Sequence, residues 1–311
     1  MSRLSGNERA IAVKALKHAA PYIRMFKRKV FVLKAGGAAF STPEGTRALM
    51  EQVGILHGVG VRVVLVHGGG PQSTELAKAL GLSSQFIDGR RVTDESALEV
   101  ATMVLNGQIN TRILAACRNL EIRALGISGV DAGLIKARRR PPVPRPGAPD
   151  EMVDYGFVGD IESVDASVLL QQLDNDLIPV ISPLCADENG TLLNINADTV
   201  AAAVAVGLGA EKLILATGTP GILELSEDPR SVISYIDIAG LARLRNEGRL
   251  ADGMLPKAAA IEMALTGGVP RVHVISYELP ASLLLEVFTN EGTGTLVVND
   301  IKHLSPAEQQ N

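Results

Sequence analysis

The chain has 311 residues, 46% of them hydrophobic, which is enough to bury one large α/β core or two lobes. Its formal net charge of −4 and its scattered basic residues argue against a nucleic-acid surface. Two cysteines without metal-ligand spacing, and no apolar run of the roughly 18 residues that span a bilayer, argue against a disulfide framework, a zinc site and a membrane protein.

The N-terminal segment is mixed polar and basic, without the apolar core of a signal peptide, so we expect residence in the cytoplasm. Residues 7–26 repeat apolar positions at helical spacing, from Ile11 through Leu16 to Ile23, which predicts an amphipathic helix. Such a helix either packs on the core or, because it lies outside a complete α/β unit, forms contacts between subunits. We therefore treat 1–28 as a candidate oligomerisation element.

Strands and helices alternate along the first half of the chain. The pattern predicts strand 30–34, helix 43–57, strand 61–67, helix 71–81, helix 94–119 and strand 122–127, in a mainly parallel sheet with helices on both faces. The first two strands end in glycine clusters, Lys34-Ala-Gly36-Gly37 and His67-Gly68-Gly69-Gly70. Backbone N–H groups of such glycines can hold phosphate or carboxylate oxygens. Because neither common nucleotide-binding glycine motif occurs, the pattern indicates a kinase without the usual nucleotide loop.

The middle of the chain, 128–163, shows short polar/apolar alternations around a proline- and arginine-rich run at 137–146. We predict hairpin strands that cover a site, with the run itself as a solvated loop. The remaining pattern predicts strand 177–183 and a hairpin turn at Asn189-Gly190 that joins this strand to 191–198. It then predicts helix 199–208, strand 212–217, helix 256–267 and strands 271–276 and 295–298. We place a lobe boundary near residue 190.

Phosphoryl transfer needs positive charge beside the reacting oxygens, and two lysines together with the two glycine clusters can meet that need. Lys34 closes a strand beside glycines, and Lys257 opens a helix. Asp198 begins a helix, where it either caps the helix or, together with Asn194 and Asn196, serves the site by holding the two lysines or binding Mg²⁺ through water.

A pair of adjacent arginines, Arg90 and Arg91, lies in the sequence Gly89-Arg-Arg-Val-Thr-Asp94. A guanidinium group binds a carboxylate through two hydrogen bonds, so Arg91 is the candidate for holding a substrate carboxylate. The sequence alone leaves open which of the two arginine side chains points into the site.

These motifs, in this order and at this spacing, resemble those of the amino-acid kinase family over residues 8–298. Within that family the chain looks like the members that phosphorylate N-acetyl-L-glutamate in arginine biosynthesis. The pieces that carry the resemblance are Lys34-x-Gly-Gly, Val-His67-Gly-Gly-Gly-Pro-Gln72, Gly89-x-Arg91-Val-Thr-Asp94, Gly126-Ile-Ser-Gly129-x-Asp131, Gly156-Phe-Val-Gly159, Asn194-x-Asn196-Ala-Asp198, Gly253-Met-x-Pro-Lys257 and Gly294-Thr-Leu-Val.

The resemblance implies a three-layer αβα sandwich with a mainly parallel central sheet, the carbamate kinase-like fold, with a substrate-binding lobe at 29–190 and a nucleotide-binding lobe at 191–311. It implies ATP, with Mg²⁺ bound mainly through the nucleotide and no metal site of the protein's own. The implied catalytic residues are Lys34, Lys257 and Asp198. The implied substrate-binding residues are Gly69, Gly70, Arg91 and Asn194, and the implied nucleotide-binding residues are Gly36, Gly37, Thr217, Gly221 and Met254.

The resemblance also implies a homo-oligomer, a dimer or a hexamer, with arginine as a candidate effector. The N-terminal helix and the segment 283–294 look like the hexameric, arginine-inhibited branch of the family. The basic and histidine residues usual near 277–281 are absent, so the oligomer is the stronger expectation.

The chain departs from the family pattern in three places. Gly218 stands where the family usually has aspartate, Ala35 and Ala38 replace polar or aromatic residues, and Val130 replaces a common lysine. We expect a slow or altered kinase rather than an inactive one. Two alternatives stay open: a kinase for a different acylated or carrier-linked amino acid, with the arginine-rich run facing the carrier, and a non-catalytic sensor of amino acid or nucleotide.

Overall fold

The structure, a computed structural model, describes residues 5–83, 85–87, 90–145, 148–224, 228, 231–250, 252–290 and 292–303. Parts of the predicted features lie outside the described residues: 1–4 of the N-terminal element, Gly89 of the arginine motif, Pro146 of the predicted loop and Glu291 of the segment 283–294. Residues 84, 88 and 147 of the first predicted lobe and 225–227, 229–230, 251 and 304–311 of the second also lie outside them.

A mainly parallel eight-stranded sheet forms the centre of the described chain. From one edge to the other its strands are β14 (Tyr235–Asp237), β16 (Thr295–Val298), β15 (Arg271–Ser276), β13 (Lys212–Thr217), β1 (Val30–Ala35), β2 (Arg62–His67), β10 (Ile178–Ser182) and β5 (Ala124–Ser128). Neighbours run parallel except β15 and β16. The predicted strands 212–217, 271–276 and 295–298 are confirmed at both ends, because their runs of buried β-branched and leucine residues mark them clearly.

Helices cover both faces of this sheet. On one face lie α2 (Pro43–Gly58) and α5 (Thr111–Asn119), and on the other lie α7 (Ala197–Gly207) and α9 (Leu255–Thr266). Successive side chains of β1 alternate between the two cores, since Phe31 packs with the α2 side and Val32 with the α7 side. The predicted three-layer αβα sandwich is therefore confirmed. The remaining α-helices are α1 (Gly6–Phe26), α3 (Gly70–Ala79), α4 (Glu95–Thr102), α6 (Ala166–Asp174), α8 (Ile238–Asn246) and α10 (Ser282–Phe288).

A second sheet has four strands, in the order β12 (Leu192–Asn194), β11 (Leu184–Ala186), β6 (Ile135–Arg139) and β9 (Gly159–Val164). Two small antiparallel pairs accompany it, β7 (Val143–Arg145) with β8 (Ala148–Val153) and β3 (Phe86–Ile87) with β4 (Arg90–Arg91). The predicted hairpin strands over the middle of the chain are confirmed. The run 137–146 is not a loop throughout, because parts of β6 and β7 lie in it, but it is solvated as predicted, since Ala137 is the one buried residue among those described there.

Two local predictions differ from the structure. The predicted helix 94–119 consists of α4, a π-helix (Met103–Asn110) and α5, so its middle turns are wider than those of an α-helix. The turn at Asn189-Gly190 joins β11 to β12, not β10 to β12. Pro183 follows β10 directly, and because proline cannot donate to a strand ladder, the chain leaves the main sheet there.

The N-terminal helix α1 is confirmed, and it begins with a capping box in which Ser5 and Glu8 bond each other's backbone N–H groups. No helix among the described residues is both long enough and apolar enough to cross a membrane.

Candidate active site

The two glycine clusters lie side by side at the carboxyl ends of β1 and β2, two central strands of the main sheet. Strands β1 and β2 are parallel neighbours in a register that places Ala35 opposite His67, so both strands end at the same level. The Gly68 N–H donates to the Ala35 carbonyl oxygen at 2.9 Å, and α3 begins immediately afterwards at Gly70. A helix N-terminus and two glycine turns thus converge on one point, as an anion-binding site requires.

Contact between the two clusters explains why glycine occupies position 37. A Cβ atom added to Gly37 would lie 2.8 Å from the Gly69 Cα, closer than real Cβ contacts allow. Gln72, which is buried, donates from Nε2 to the Gly37 carbonyl oxygen at 2.7 Å and links α3 to the first cluster. The clusters therefore form one joined cradle.

Asp198 pairs with both candidate lysines. Its Oδ1 lies 2.8 Å from Lys34 Nζ, and its Oδ2 lies 3.5 Å from Lys257 Nζ. Lys34 and Asp198 are buried, whereas the Lys257 side chain is 18% exposed. Burial lowers the pKa of Lys34, the Asp198 carboxylate opposes that shift, and the nearby Lys257 charge adds to it. The arrangement places two cations around one carboxylate at the cradle.

The helix cap in this region is Asn196 rather than Asp198. The Asn196 side chain accepts from the backbone N–H groups of Asp198 and Thr199, at 2.8 and 3.3 Å. Because Asn196 satisfies these N–H groups, the Asp198 carboxylate in the first turn of α7 is left to face the lysines. Helices α7 and α9 pack together, which brings Lys257 at the start of α9 to the same carboxylate.

A cavity of about 660 Å³ opens above the cradle. It is lined by residues from both halves of the chain, and seven of the predicted site residues are among them: Lys34, Gly36, Gly37, Gly69, Gly70, Asn194 and Asp198. Lys257 is connected to the site by its ion pair with Asp198, and Pro256 and Ala259 beside it line the wall of the cavity. Backbone pairing places Arg91 in β4, but its side chain lies outside what the structure describes.

Three predicted nucleotide-binding residues, Thr217, Gly221 and Met254, are not among the described residues that line this cavity. Thr217 ends β13, and its hydroxyl bonds within the following turn, to the Thr219 carbonyl oxygen at 2.8 Å. Gly221 packs tightly, since an added Cβ would lie 2.7 Å from Thr295 Oγ1. A residue larger than glycine at position 221 would therefore clash with Thr295.

The structure adds lining residues that sequence reasoning missed, including Arg140, Thr93 and Tyr155. Arg140 is half-buried and donates from Nε and Nη2 to Asp160 Oδ1, at 2.9 and 2.7 Å. The sequence contained no local signal for this position, because Arg140 reaches the cavity only after β6 pairs with β9.

The cavity suits a polyphosphate and a small carboxylic acid. Two ammonium groups and the glycine turns supply positive charge and N–H donors for anionic oxygens. Both Asp198 oxygens face lysines, and no group of three or more metal-ligating side chains occurs among the described residues.

Comparison with known proteins places the chain in one family. The model of the "Amino acid kinase family" matches residues 29–276, which include every residue that lines the cavity. Acetylglutamate kinase of Myxococcus xanthus is 49% identical over 289 residues, covering 92% of this chain and 94% of that protein. Acetylglutamate kinase of Archaeoglobus fulgidus is 40% identical over 285 residues, covering 92% of this chain and 98% of its own.

Solved structures share the fold. N-acetylglutamate synthase from Neisseria gonorrhoeae, complexed with coenzyme A and L-arginine, superposes with a TM-score of 0.79 at 27% identity, covering 93% of this chain and 65% of that longer one. Carbamate kinase from Giardia lamblia bound to AMP-PNP superposes with a TM-score of 0.62 at 17% identity, covering 88% and 99%. The second likeness is one of fold alone.

Proposed function

The chain belongs to the amino acid kinase family, and from that premise we propose that it transfers the γ-phosphoryl group of ATP to the side-chain carboxylate of N-acetyl-L-glutamate. The product is an acyl phosphate, and the reaction serves arginine biosynthesis. The structural observation that carries the proposal is the Lys34–Asp198–Lys257 arrangement at the glycine cradle.

The chemistry follows from the charges. A carboxylate is ionised at neutral pH, so the nucleophile needs no general base. The reaction brings two anions together, so it needs positive groups that reduce their repulsion and that contact the oxygens of the transferring phosphoryl group. Lys34 and Lys257 supply that charge, and Asp198 holds the two ammonium groups at fixed positions. The buried setting strengthens each of these interactions.

The remaining roles divide by lobe. The substrate lobe 29–190, helped by Asn194 from the next segment, holds N-acetyl-L-glutamate with Gly69, Gly70 and Arg91. The lobe 191–311 holds the nucleotide with Thr217, Gly221 and Met254, while Gly36 and Gly37 approach its phosphates. ATP brings Mg²⁺, which neutralises phosphate charge when it is bound.

The test is acyl phosphate formation, trapped as the hydroxamate, with Mg-ATP and N-acetyl-L-glutamate. Wild type is compared with Lys257→Ala, and Lys78→Ala on the exposed side of α3 is the matched control. We expect turnover in wild type and in Lys78→Ala, and a loss of about a hundredfold or more in Lys257→Ala. Absence of turnover in a wild type that binds N-acetyl-L-glutamate by calorimetry would refute the kinase.

We also propose a homo-oligomer built through α1. Ile11, Val13 and Leu16 on this helix are 53–65% exposed, so their apolar side chains are available for packing against a second subunit. Sedimentation of wild type against Leu16→Glu tests this, because a charge on the contact face should reduce the assembly mass. An unchanged mass would remove α1 from the interface.

Arginine is the candidate effector, since a structurally similar synthase binds it. Inhibition of hydroxamate formation by L-arginine, with D-arginine as the control, tests it. Equal rates with and without L-arginine would exclude the effector.

A further inference from the structure

A buried hydrogen-bonded chain behind the cradle starts at β10 and ends at the Gly68–Gly69 peptide. Asn110 Nδ2 lies 2.9 Å from the Val180 carbonyl oxygen and 3.2 Å from His67 Nε2. His67 Nδ1 lies 3.2 Å from the Gly68 carbonyl oxygen. His67 and Asn110 are buried, at 0% and 6% exposure, so water does not compete for these bonds.

The direction of each bond follows from the carbonyl of Val180, which can only accept. The Asn110 atom that faces it is therefore the amide nitrogen, and the second hydrogen of that nitrogen points to His67 Nε2. His67 Nε2 accepts, so the ring proton sits on Nδ1 and is donated to the Gly68 carbonyl. Burial lowers the pKa of His67 to about 4, in keeping with a neutral ring that carries one proton.

A peptide group carries its C=O and its N–H in opposite directions. Since the Gly68 carbonyl points back to His67, the N–H of Gly69 in the same peptide points the other way. Gly69 lines the cavity, and the described residues offer its N–H no acceptor. We propose that His67 and Asn110 are positioning residues that hold the Gly69 N–H towards the cavity, where it donates to an oxygen of the reacting carboxylate or phosphoryl group. The inference rests on the proposed kinase function.

The π-helix that carries Asn110 also packs closely against Gly69. A Cβ added to Gly69 would lie 2.7 Å from both Leu105 Cδ2 and Ile109 Cδ1. The same helix accepts a hydrogen bond from the Ser182 hydroxyl, just beyond Val180, through Asn106. Within the part of the chain described, one wide helical segment thus contacts the cradle, the histidine that orients it and the strand behind it.

Three substitutions distinguish a role of His67 in orienting the Gly68–Gly69 peptide from a role in packing alone. His67→Phe keeps a ring but removes both nitrogens. His67→Asn places an amide nitrogen at the position of Nδ1 and so keeps the donor to Gly68. His57→Phe, at a half-buried histidine of α2 that pairs with Asp176, is the matched control. The readouts are kcat and KM in the hydroxamate assay, and calorimetric affinity for ADP with aluminium fluoride and N-acetyl-L-glutamate, against affinity for ADP alone.

We expect His67→Phe to lower kcat by about tenfold to a hundredfold, with the KM for ATP nearly unchanged, because a donor that acts on the transition state is turned away. Affinity for the fluoride complex should fall by a similar factor while affinity for ADP alone holds. His67→Asn should recover most of both losses, and His57→Phe should match wild type. If His67→Phe fails to fold, Asn110→Leu, which frees Nε2 but keeps the ring, should show the same pattern more weakly.

Equal losses in His67→Asn and His67→Phe, or a parallel loss of ADP affinity, would assign His67 a packing role and overturn the inference. A wild type that binds the fluoride complex but makes no acyl phosphate would instead refute the kinase. In that case His67→Phe still decides the inference, through its affinity for the fluoride complex alone.

Discussion

Removing Asp198 should cost more stability than removing the buried lysine beside it, and removing both should cost less than removing Asp198 alone. The variants are Asp198→Asn, Lys34→Met and their combination. Asp198→Asn leaves Lys34 and Lys257, two like charges, around a neutral amide. Lys34→Met leaves Asp198 paired with Lys257 at 3.5 Å, so the buried carboxylate keeps one ion-pair partner.

The magnitude follows from distance and burial. At 2.8 Å and an effective dielectric constant of about 20, the Lys34–Asp198 attraction is about 6 kcal/mol, and the cost of burying both ions offsets much of it. Breaking a buried pair on one side typically costs about 3–5 kcal/mol, because the remaining charge has lost both water and partner. We expect that range for Asp198→Asn, and recovery of about 2–3 kcal/mol when Lys34→Met is added.

Urea unfolding followed by circular dichroism gives the free energy for all four proteins, including wild type. The control is Glu211→Gln, which also turns a carboxylate into an amide opposite a lysine, in a pair 3.1 Å long with Lys29 53% exposed. We expect a change below about 1 kcal/mol there. If the double variant is as unstable as the sum of the two single variants, Lys34 does not depend on Asp198 for its charge and the reasoning fails.

Gly37→Ala should abolish hydroxamate formation, and adding Gln72→Ala should not restore it, because the added Cβ meets the Gly69 Cα, a backbone atom that cannot swing aside. A double variant as active as Gln72→Ala alone would contradict this. Burial by itself would raise the pKa of Glu286, but its bond with His273 and the Thr293 N–H bring the pKa down to about 2, from 4.5. A depressed carboxyl pKa stabilises the fold above about pH 4.5, and that stability, up to about 3 kcal/mol, is lost as the pH falls towards 2. Glu286→Gln should therefore flatten the acid limb of unfolding free energy against pH, and identical limbs would refute the assignment.

The features that sequence reasoning predicted are those with local signals. The strands at 212–217 and 271–276 are apolar runs bounded by breaks, and each of these breaks fixes an end. Lys34 could be singled out because a lysine directly before glycines, at the end of a buried strand, has few ordinary structural roles. The pairing of Lys34 with Asp198 joins residues 164 positions apart (198 − 34), and the sequence suggested it only as one of several roles.

What sequence reasoning missed depends on contacts between distant segments. His67 stood in the quoted motif without a role, because its function requires Asn110 from a π-helix and Val180 from another strand. The widening of that helix has no residue signature, and the sequence predicted continuous α-helix there. The sequence also allowed Asp198 to be the helix cap. Asn196, which caps the helix in the structure, lies two residues away, and only the backbone geometry distinguishes the two positions.

Gly218, one of the departures from the family pattern, follows β13 and lies beside the residues that follow β15. A Cβ at position 218 would lie 3.1 Å from Tyr277 Oη and 3.5 Å from Glu278 Oε1, so a larger residue there would require the Tyr277 side chain to shift slightly. The Tyr277 N–H, which donates to the Thr217 carbonyl oxygen at 2.9 Å, ties the two strand ends together. The departure at Gly218 leaves the Lys34–Asp198–Lys257 arrangement intact, so it gives a non-catalytic sensor no structural support.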